Sequence, residues 1–122
     1  MPSPGRVFVY GTLMPGGVRW PTLAAYALQW ERATAPGRLW DTGHGYPAVR
    51  FDAGGGAVPG ILVSLDPARL APALAALDEL EDEGRLYRRI EVVTSGGRAW
   101  AYEWLGPTDG LGVLAGGWPP TP

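Results

Sequence analysis

Residues 66–83 read DPARLAPALAALDELEDE, a stretch in which leucines recur at helical spacing. Asp66 is a favoured residue type at a helix N-cap, and Pro67 suits the first helical position. Proline in a helix interior would remove a hydrogen bond, and Pro72 follows closely. We therefore predict a short turn after Asp66 and a main helix that begins near Ala71.

Around this helix the chain alternates β-prone runs with glycine and proline. A short helix is predicted at about Pro21–Ala27, and Pro36-Gly37 is interpreted as a turn between two strands. The stretches that flank Gly54–Gly56 are interpreted as a hairpin pair. The order of elements indicates an α+β domain with a mostly antiparallel, barrel-like sheet. The predicted strands are Arg6–Tyr10, Leu28–Ala35, Arg38–Asp41, Tyr46–Phe51, Gly60–Leu65, Leu86–Val93 and Ala99–Trp104.

Length and composition favour one folded domain over residues 1–122. The chain has 122 residues, 46% of them hydrophobic, and six tryptophans, enough apolar surface for one core. We expect the core within about residues 7–105 and a glycine- and proline-rich tail at 106–122 that wraps the surface.

Charge and apolar patterning exclude several classes of partner. The net charge is −2 and the basic residues are scattered, so nucleic acid is not an expected partner. Neither a signal peptide nor a membrane span is expected, since the N-terminal residues are not apolar and glycines and Pro59 interrupt the apolar stretch at 53–65. We expect a cytoplasmic protein.

Missing residue types exclude several kinds of catalysis. The chain contains no Cys, Lys or Asn, and His44 is its single histidine. A thiolate nucleophile, a Schiff-base lysine, a P-loop lysine and a zinc site of clustered His and Cys are therefore excluded. No metal and no cofactor are expected, and an acid/base group, if the protein is an enzyme, is expected to be a carboxylate.

The helical spacing puts one carboxylate on the apolar stripe. At about 100° per residue, Leu70, Leu74 and Leu77 share a face, and Glu81 is the next position on it. A buried carboxylate has a raised pKa, which suits proton transfer near neutral pH. The alternative is structural: the helix ends there, and Glu81 lies at the solvent rim or pairs with Arg88 or Arg89.

A second candidate is the turn after the first strand, Tyr10-Gly11-Thr12-Leu13. A strand that ends in a sharp turn presents successive backbone N–H groups, which bind a carboxylate in a nest, and we expect Gly11 to supply the unusual backbone angles. An ordinary junction between strand and loop is the alternative.

These two candidates belong to a longer series of motifs that resembles the gamma-glutamylcyclotransferase-like, or AIG2-like, proteins. The resemblance spans about Val7 to Trp118. The motifs, in order, are Val9-Tyr10-Gly11-Thr12-Leu13, Tyr46-Pro47-Ala48, Val58-Pro59-Gly60, Leu77-Asp78-Glu79-Leu80-Glu81, Tyr87-Arg88-Arg89 and Gly117-Trp118.

The resemblance implies a small mixed β-barrel of about six to seven strands, with one main helix and one short helix. It also implies an enzyme that closes a gamma-glutamyl amine or gamma-glutamyl amino acid to 5-oxoproline and releases the free amine, with no metal. Tyr10, Gly11, Thr12 and Leu13 would then hold the gamma-glutamyl group, and Glu81 would be the acid/base. Tyr87 would shape the pocket or orient the glutamate.

The chain departs from the family pattern after Glu81, where the family commonly has glycine and this sequence has Asp82. A second carboxylate there would raise the pKa of Glu81 further if both were desolvated. Two alternatives to the enzyme stay open: a non-catalytic module that binds a small carboxylate, and a structural or interaction domain. The leaving amine and the oligomeric state do not follow from the sequence.

Overall fold

The computed structural model of the chain describes residues 3–120. Its strands and helices are β1 (Arg6–Val9), α1 (Trp20–Ala24), β2 (Ala27–Asp41), β3 (Pro47–Phe51), β4 (Gly56–Leu65), a 3₁₀ turn (Pro67–Arg69), α2 (Leu70–Leu80), β5 (Tyr87–Thr94), β6 (Gly97–Trp104) and β7 (Gly112–Val113). No helix among the described residues is both long enough and apolar enough to cross a bilayer.

The strands form one mixed sheet in the order β3-β2-β4-β1-β6-β5, with β7 paired to the end of β2. The neighbours pair antiparallel except β1 and β6, which run parallel. The sheet curls into a nearly closed barrel, in which Glu103 of β6 accepts a hydrogen bond from the Phe51 N–H of β3, at 2.9 Å. The mixed barrel with two helices confirms the predicted fold class.

Strand β2 is longer than predicted, because Pro36-Gly37 does not form a turn. The strand runs unbroken through this dipeptide, and Pro36 and Gly37 stay in register with Ala57 and Gly56 of β4. The Pro36 carbonyl accepts a hydrogen bond from the Asp52 N–H, just beyond β3. Glycine is required at 37 because a Cβ atom there would lie 2.5 Å from the Arg50 carbonyl oxygen. Gly37 in this dipeptide therefore allows β2 and β3 to lie close together.

Strands β3 and β4 do not form the predicted hairpin. They lie on opposite sides of β2, which pairs with each of them. The connection between them crosses β2 at Gly37, where the pairing with β4 ends and the pairing with β3 begins, and a Cβ atom on Gly55 would lie 2.9 Å from the Gly37 backbone. The glycine tract is thus a crossing point of two backbones, which the spacing of glycines alone does not distinguish from a hairpin tip.

Helix α2 begins as the sequence predicts. Asp66 accepts a hydrogen bond from the Ala68 N–H at the start of a single 3₁₀ turn, and α2 follows from Leu70. Leu74 and Leu77 are buried against β1, β4 and the loop at Leu13. Burying side chains of this size contributes about 1.5 to 3 kcal/mol each, which holds the helix against the barrel.

The described part of the tail lies along the barrel. Residues Gly112–Val113 pair with Trp40 and Asp41 of β2. Further on, Gly117 is buried against Pro59, and Trp118 packs on the apolar cluster that contains Phe8. These contacts join the tail to β2, to β4 and to an apolar cluster that includes no residue of α2.

Candidate active site

A hollow separates the turn after β1 from the C-terminal end of α2. Its volume is about 20 Å³, room for about one water molecule. All of the residues predicted for the site line it: Tyr10, Gly11, Thr12, Leu13, Glu81 and Tyr87. The remaining lining residues are Phe8, Val9, Tyr46, Pro47 and Tyr102. The structure therefore brings together two stretches that are about seventy positions apart in the sequence.

Glu81 directly follows the last residue of α2 and is its C-cap. Its N–H still donates to the Leu77 carbonyl at 2.9 Å, so the last helical turn holds its backbone. The side chain is 11% exposed, and its Oε2 accepts a hydrogen bond from Arg19 Nη1 at 2.8 Å. The ion pair of the structural alternative is thus present, but with Arg19 and not with Arg88 or Arg89.

Burial raises the pKa of Glu81 to about 6, and the neighbouring Arg19 opposes this rise by favouring the ionised form. Asp82 has no part in the shift. Its side chain turns outward to pair with Arg85, and its backbone adopts a left-handed conformation with φ 54°. The condition under which Asp82 would raise the pKa of Glu81, that both carboxylates be desolvated, is therefore not met. The left-handed backbone also explains why glycine suits this position.

The second carboxylate oxygen of Glu81, Oε1, accepts no hydrogen bond from the residues that the structure describes. No buried side-chain polar atom in this part of the chain lacks a hydrogen-bond partner. Oε1 is therefore accessible to solvent, on a side chain that lines the hollow. A largely buried carboxylate with one free oxygen can give or take a proton there.

The turn opposite Glu81 presents two backbone donors. The Met14 N–H donates to the Gly11 carbonyl at 3.0 Å, which makes Thr12 and Leu13 the central residues of a turn. Among residues 3–120, the N–H groups of Thr12 and Leu13 have no acceptor. Two adjacent unpaired N–H groups are suited to bind an anion.

Gly11 has a different role from the one expected. Its φ is not positive, so it does not supply an unusual backbone angle. A Cβ atom at this position would instead lie 2.7 Å from the Pro47 ring. Glycine is needed here because the turn packs directly on β3.

The tyrosine hydroxyls at the site are engaged with backbone carbonyls. Tyr10 donates to the Tyr102 carbonyl and Tyr87 to the Pro47 carbonyl, each at 2.6 Å. Burial is the main cause that raises the pKa of both tyrosines; the next cause is Tyr87 for Tyr10 and the charge of Glu81 for Tyr87. They stay neutral at physiological pH. Since the Tyr87 hydroxyl bonds to Pro47 and not to Glu81, its contact fits a residue that shapes the pocket.

Asp78, one helical turn before Glu81, anchors α2 to the sheet. It accepts hydrogen bonds from Arg89 Nε at 2.8 Å, from Arg89 Nη2 at 3.3 Å and from the Tyr102 hydroxyl at 2.7 Å. These donors belong to β5 and β6. The end of α2, and with it Glu81, is therefore held at a fixed place on the barrel.

Sequence reasoning missed Arg19, which joins the two walls of the hollow. Its N–H donates to the Thr12 carbonyl at 2.9 Å, and its side chain donates to the Leu80 carbonyl and to Glu81. Arg19 stands alone between Val18 and Trp20 in a loop with no periodic pattern, so the sequence carries no signal for it. His44 lies exposed outside the hollow, and no group of three or more potential metal ligands occurs within residues 3–120.

Comparison with known proteins gives consistent matches over most of the chain. The model of a protein family described as gamma-glutamyl cyclotransferase, AIG2-like, matches residues 7–119. The gamma-glutamylcyclotransferase family protein YtfP of Escherichia coli (strain K12) is 35% identical over 114 residues, which cover 92% of this chain and 93% of YtfP.

Two solved structures share the fold. The solution structure of ytfP from Escherichia coli aligns with a TM-score of 0.58 and 29% identity, over 89% of this chain and 90% of that chain. The crystal structure of an AIG2-like protein from Mus musculus aligns with a TM-score of 0.66 over 85% of this chain and 80% of that chain. Its identity is 20%, so this likeness concerns the fold alone.

Proposed function

The chain belongs to the gamma-glutamyl cyclotransferase, AIG2-like family, and we propose that it cyclises a gamma-glutamyl amine or gamma-glutamyl amino acid to 5-oxoproline. The observation that carries this proposal is that Glu81, largely buried and with Oε1 unpartnered, lines the same hollow as Thr12 and Leu13, whose N–H groups have no acceptor among the described residues. This supports a proton-transfer group and an anion-binding turn on either side of one substrate.

The proposed reaction is intramolecular. The α-amino group of the substrate attacks its own γ-carbonyl carbon, a five-membered ring closes, and the bond to the leaving nitrogen breaks. Glu81, as carboxylate, accepts one proton from the substrate ammonium group. As the ring closes, the attacking nitrogen releases its second surplus proton to solvent, and Glu81 donates the proton that it holds to the departing nitrogen. A pKa of about 6 lets one side chain perform both steps near neutral pH.

The turn at Gly11–Leu13 supplies the orientation. The N–H groups of Thr12 and Leu13 bind the substrate α-carboxylate, which folds the glutamyl chain so that its amino group approaches the carbonyl. Tethered groups in the correct geometry react with effective molarities of about 10⁵ to 10⁸ M. The reaction therefore needs no nucleophile from the protein, in keeping with a chain that has no Cys and no Lys.

The neutral tyrosines and Pro47 give the site an apolar wall. Tyr46, Tyr87 and Trp104 pack with ring centroids 5.4 to 6.4 Å apart beside the hollow. An apolar wall strengthens the electrostatic contacts of a bound substrate because it excludes water.

The test is a panel of gamma-glutamyl amides incubated with the purified protein. Mass spectrometry follows 5-oxoproline and the free amine, which must appear in equal amounts and in proportion to the protein. The proposal fails if no member of the panel is cleaved above the rate of the buffer control.

A second candidate is a non-catalytic module that binds a small carboxylate. The unpaired N–H groups of Thr12 and Leu13 favour it, because they suit a bound carboxylate without any proton transfer by Glu81. Thermal stabilisation by 5-oxoproline without cleavage of the panel would identify the protein as such a module.

A further inference from the structure

We infer that Arg19 binds a carboxylate on the leaving group, so that the preferred substrates are gamma-glutamyl amino acids and not gamma-glutamyl derivatives of neutral amines. The inference rests on the proposed function and assigns Arg19 as a specificity-determining residue of that site.

Its position is the first argument. Arg19 Nη1 lies 2.8 Å from Glu81 Oε2. In the proposed reaction, Glu81 donates a proton to the departing nitrogen, so this nitrogen lies beside the Glu81 carboxylate. In a gamma-glutamyl amino acid, a single carbon joins that nitrogen to the carboxylate of the leaving group. This carboxylate therefore lies within reach of the guanidinium.

The second argument is the spare hydrogen-bonding capacity of Arg19. Only Nη1 has partners among the described residues, namely the Leu80 carbonyl and Glu81. Nε and Nη2 have none, and no buried polar side-chain atom in this part of the chain lacks a partner, so both reach solvent. The side chain is 33% exposed. Arginine presents its donors as a planar fork that matches a carboxylate.

The third argument is charge. Among the described residues that line the hollow, Glu81 is the single charged one, and Arg19 pairs with it through Nη1. A gamma-glutamyl amino acid brings two carboxylates to this site, whereas a gamma-glutamyl derivative of a neutral amine brings one. The turn at Thr12 and Leu13 provides for one anion. Arg19, which keeps Nε and Nη2 without partners beside its pair with Glu81, is the cation that meets the other.

The nearby arginines are occupied or turned away. Arg89 is bound to Asp78, and Arg85 pairs with Asp82 on the outside of the chain turn. Arg88 is exposed on β5, where successive side chains point to opposite faces, and its neighbour Tyr87 is the residue that faces the hollow. None of these three arginines therefore offers free donors beside Glu81, as Arg19 does.

The experiment compares gamma-glutamyl-alanine with gamma-glutamyl-alaninamide, which has the same shape but a neutral leaving group. The native protein is expected to show a kcat/KM about 10- to 100-fold higher for the acid, the range of a charge-assisted hydrogen bond. In Arg19→Gln this ratio is expected to fall to within about 3-fold of one. The loss should appear mainly in KM for the acid.

The ratio separates specificity from structure. Arg19 also touches Glu81, so Arg19→Gln changes the rate with both substrates, but a purely structural effect leaves their ratio intact. Arg88→Gln is the matched control, since it removes the same charge from an exposed position on β5 and should keep the native ratio.

Binding provides an independent readout. Calorimetry with Glu81→Gln, which should not turn over the ligands, is expected to show tighter binding of the acid than of the amide. The double variant Glu81→Gln/Arg19→Gln should bind both about equally. A native ratio near one, a ratio that Arg19→Gln leaves unchanged, or equal or absent binding of the two ligands to Glu81→Gln would each overturn the inference. Preferential binding of the acid without any cleavage would support the role of Arg19 and contradict the proposed function.

Discussion

The two carboxylates at the end of α2, Asp78 and Glu81, are one helical turn apart and have opposite surroundings. Both oxygens of Asp78 accept hydrogen bonds, from Arg89 and from Tyr102. Glu81 is more deeply buried, with 11% of its side chain exposed against 28% for Asp78, yet it has a single partner and one free oxygen. The better buried acid is thus the one with fewer hydrogen bonds.

This difference shows how one short helix can carry both an anchoring carboxylate, Asp78, and a carboxylate suited to proton transfer, Glu81. Asp78 faces β5 and β6, where its bonds are fully used and fix the helix. Glu81 faces the hollow, where its burial is not fully compensated and its pKa is raised. A buried carboxylate with one oxygen free of hydrogen bonds is available to a substrate.

The largest expected effect is on turnover. Glu81→Gln keeps the shape of the side chain but removes the acid/base group, so we expect kcat to fall by about 10² to 10⁴-fold. Release of 5-oxoproline measures it, with circular dichroism as the check on folding. Glu79→Gln, an exposed position on the same helix, is the matched control and should retain native turnover. Equal rates for the two variants would show that Glu81 is not the acid/base group.

The next effect is on stability. Asp78→Ala leaves the Tyr102 hydroxyl and Arg89 without their acceptor, and we expect the free energy of unfolding to fall by about 1 to 3 kcal/mol. Urea denaturation measures this change. Glu79→Ala should differ from the native protein by less than about 0.5 kcal/mol. An Asp78→Ala protein as stable as the native one would show that Asp78 does not anchor the helix.

A comparable effect is expected in the pH dependence of stability. The pKa of Glu81 in the folded protein, about 6, lies above its ordinary value of 4.5. Its contribution to stability is therefore fully present below the lower value and is lost as the pH rises through the higher one. Glu81→Gln lacks this loss. The unfolding free energy of the native protein minus that of the variant should thus decrease by about 2 kcal/mol between about pH 4 and pH 7. Denaturant titrations that show a constant or increasing difference would contradict the raised pKa.

The smallest effect concerns Asp82, the acid that directly follows Glu81 and faces outward. Its left-handed backbone is one that glycine adopts freely, and its pair with Arg85 is largely exposed. Asp82→Gly should therefore raise the free energy of unfolding by up to about 1 kcal/mol and leave kcat unchanged. Thermal unfolding and 5-oxoproline release check the two parts. A marked loss of kcat would mean that Asp82 takes part in the chemistry.

Local patterns in the sequence predicted the helix and its inward carboxylate. The leucine spacing placed Glu81 on the buried face, and Asp66 marked the start of the helix, because both signals depend on residues close together in the chain. The strand connections were harder to predict. Pro36-Gly37 and Gly54–Gly56 are typical of turns, but here the glycines allow backbones to approach and cross, which depends on strands distant in sequence.

The partners of the two carboxylates could not be predicted for the same reason. Arg19 and Glu81 are 62 positions apart, and Tyr102 and Asp78 are 24 apart. Neither Arg19 nor Tyr102 belongs to a motif that the sequence analysis identified. The spacing on α2 predicts which carboxylate faces inward. The hydrogen-bond partners that make Asp78 an anchor and leave Glu81 with a free oxygen are found only in the folded barrel.

The most direct test of the account is a titration of the Glu81 carboxyl group by ¹³C NMR, assigned through the signal that Glu81→Gln lacks, together with the pH dependence of kcat/KM. The account predicts that the Glu81 signal titrates with a midpoint of about 6 and that the acidic limb of kcat/KM has the same midpoint. A Glu81 signal that titrates near 4.5, or an acidic limb that Glu81→Gln leaves in place, would contradict it.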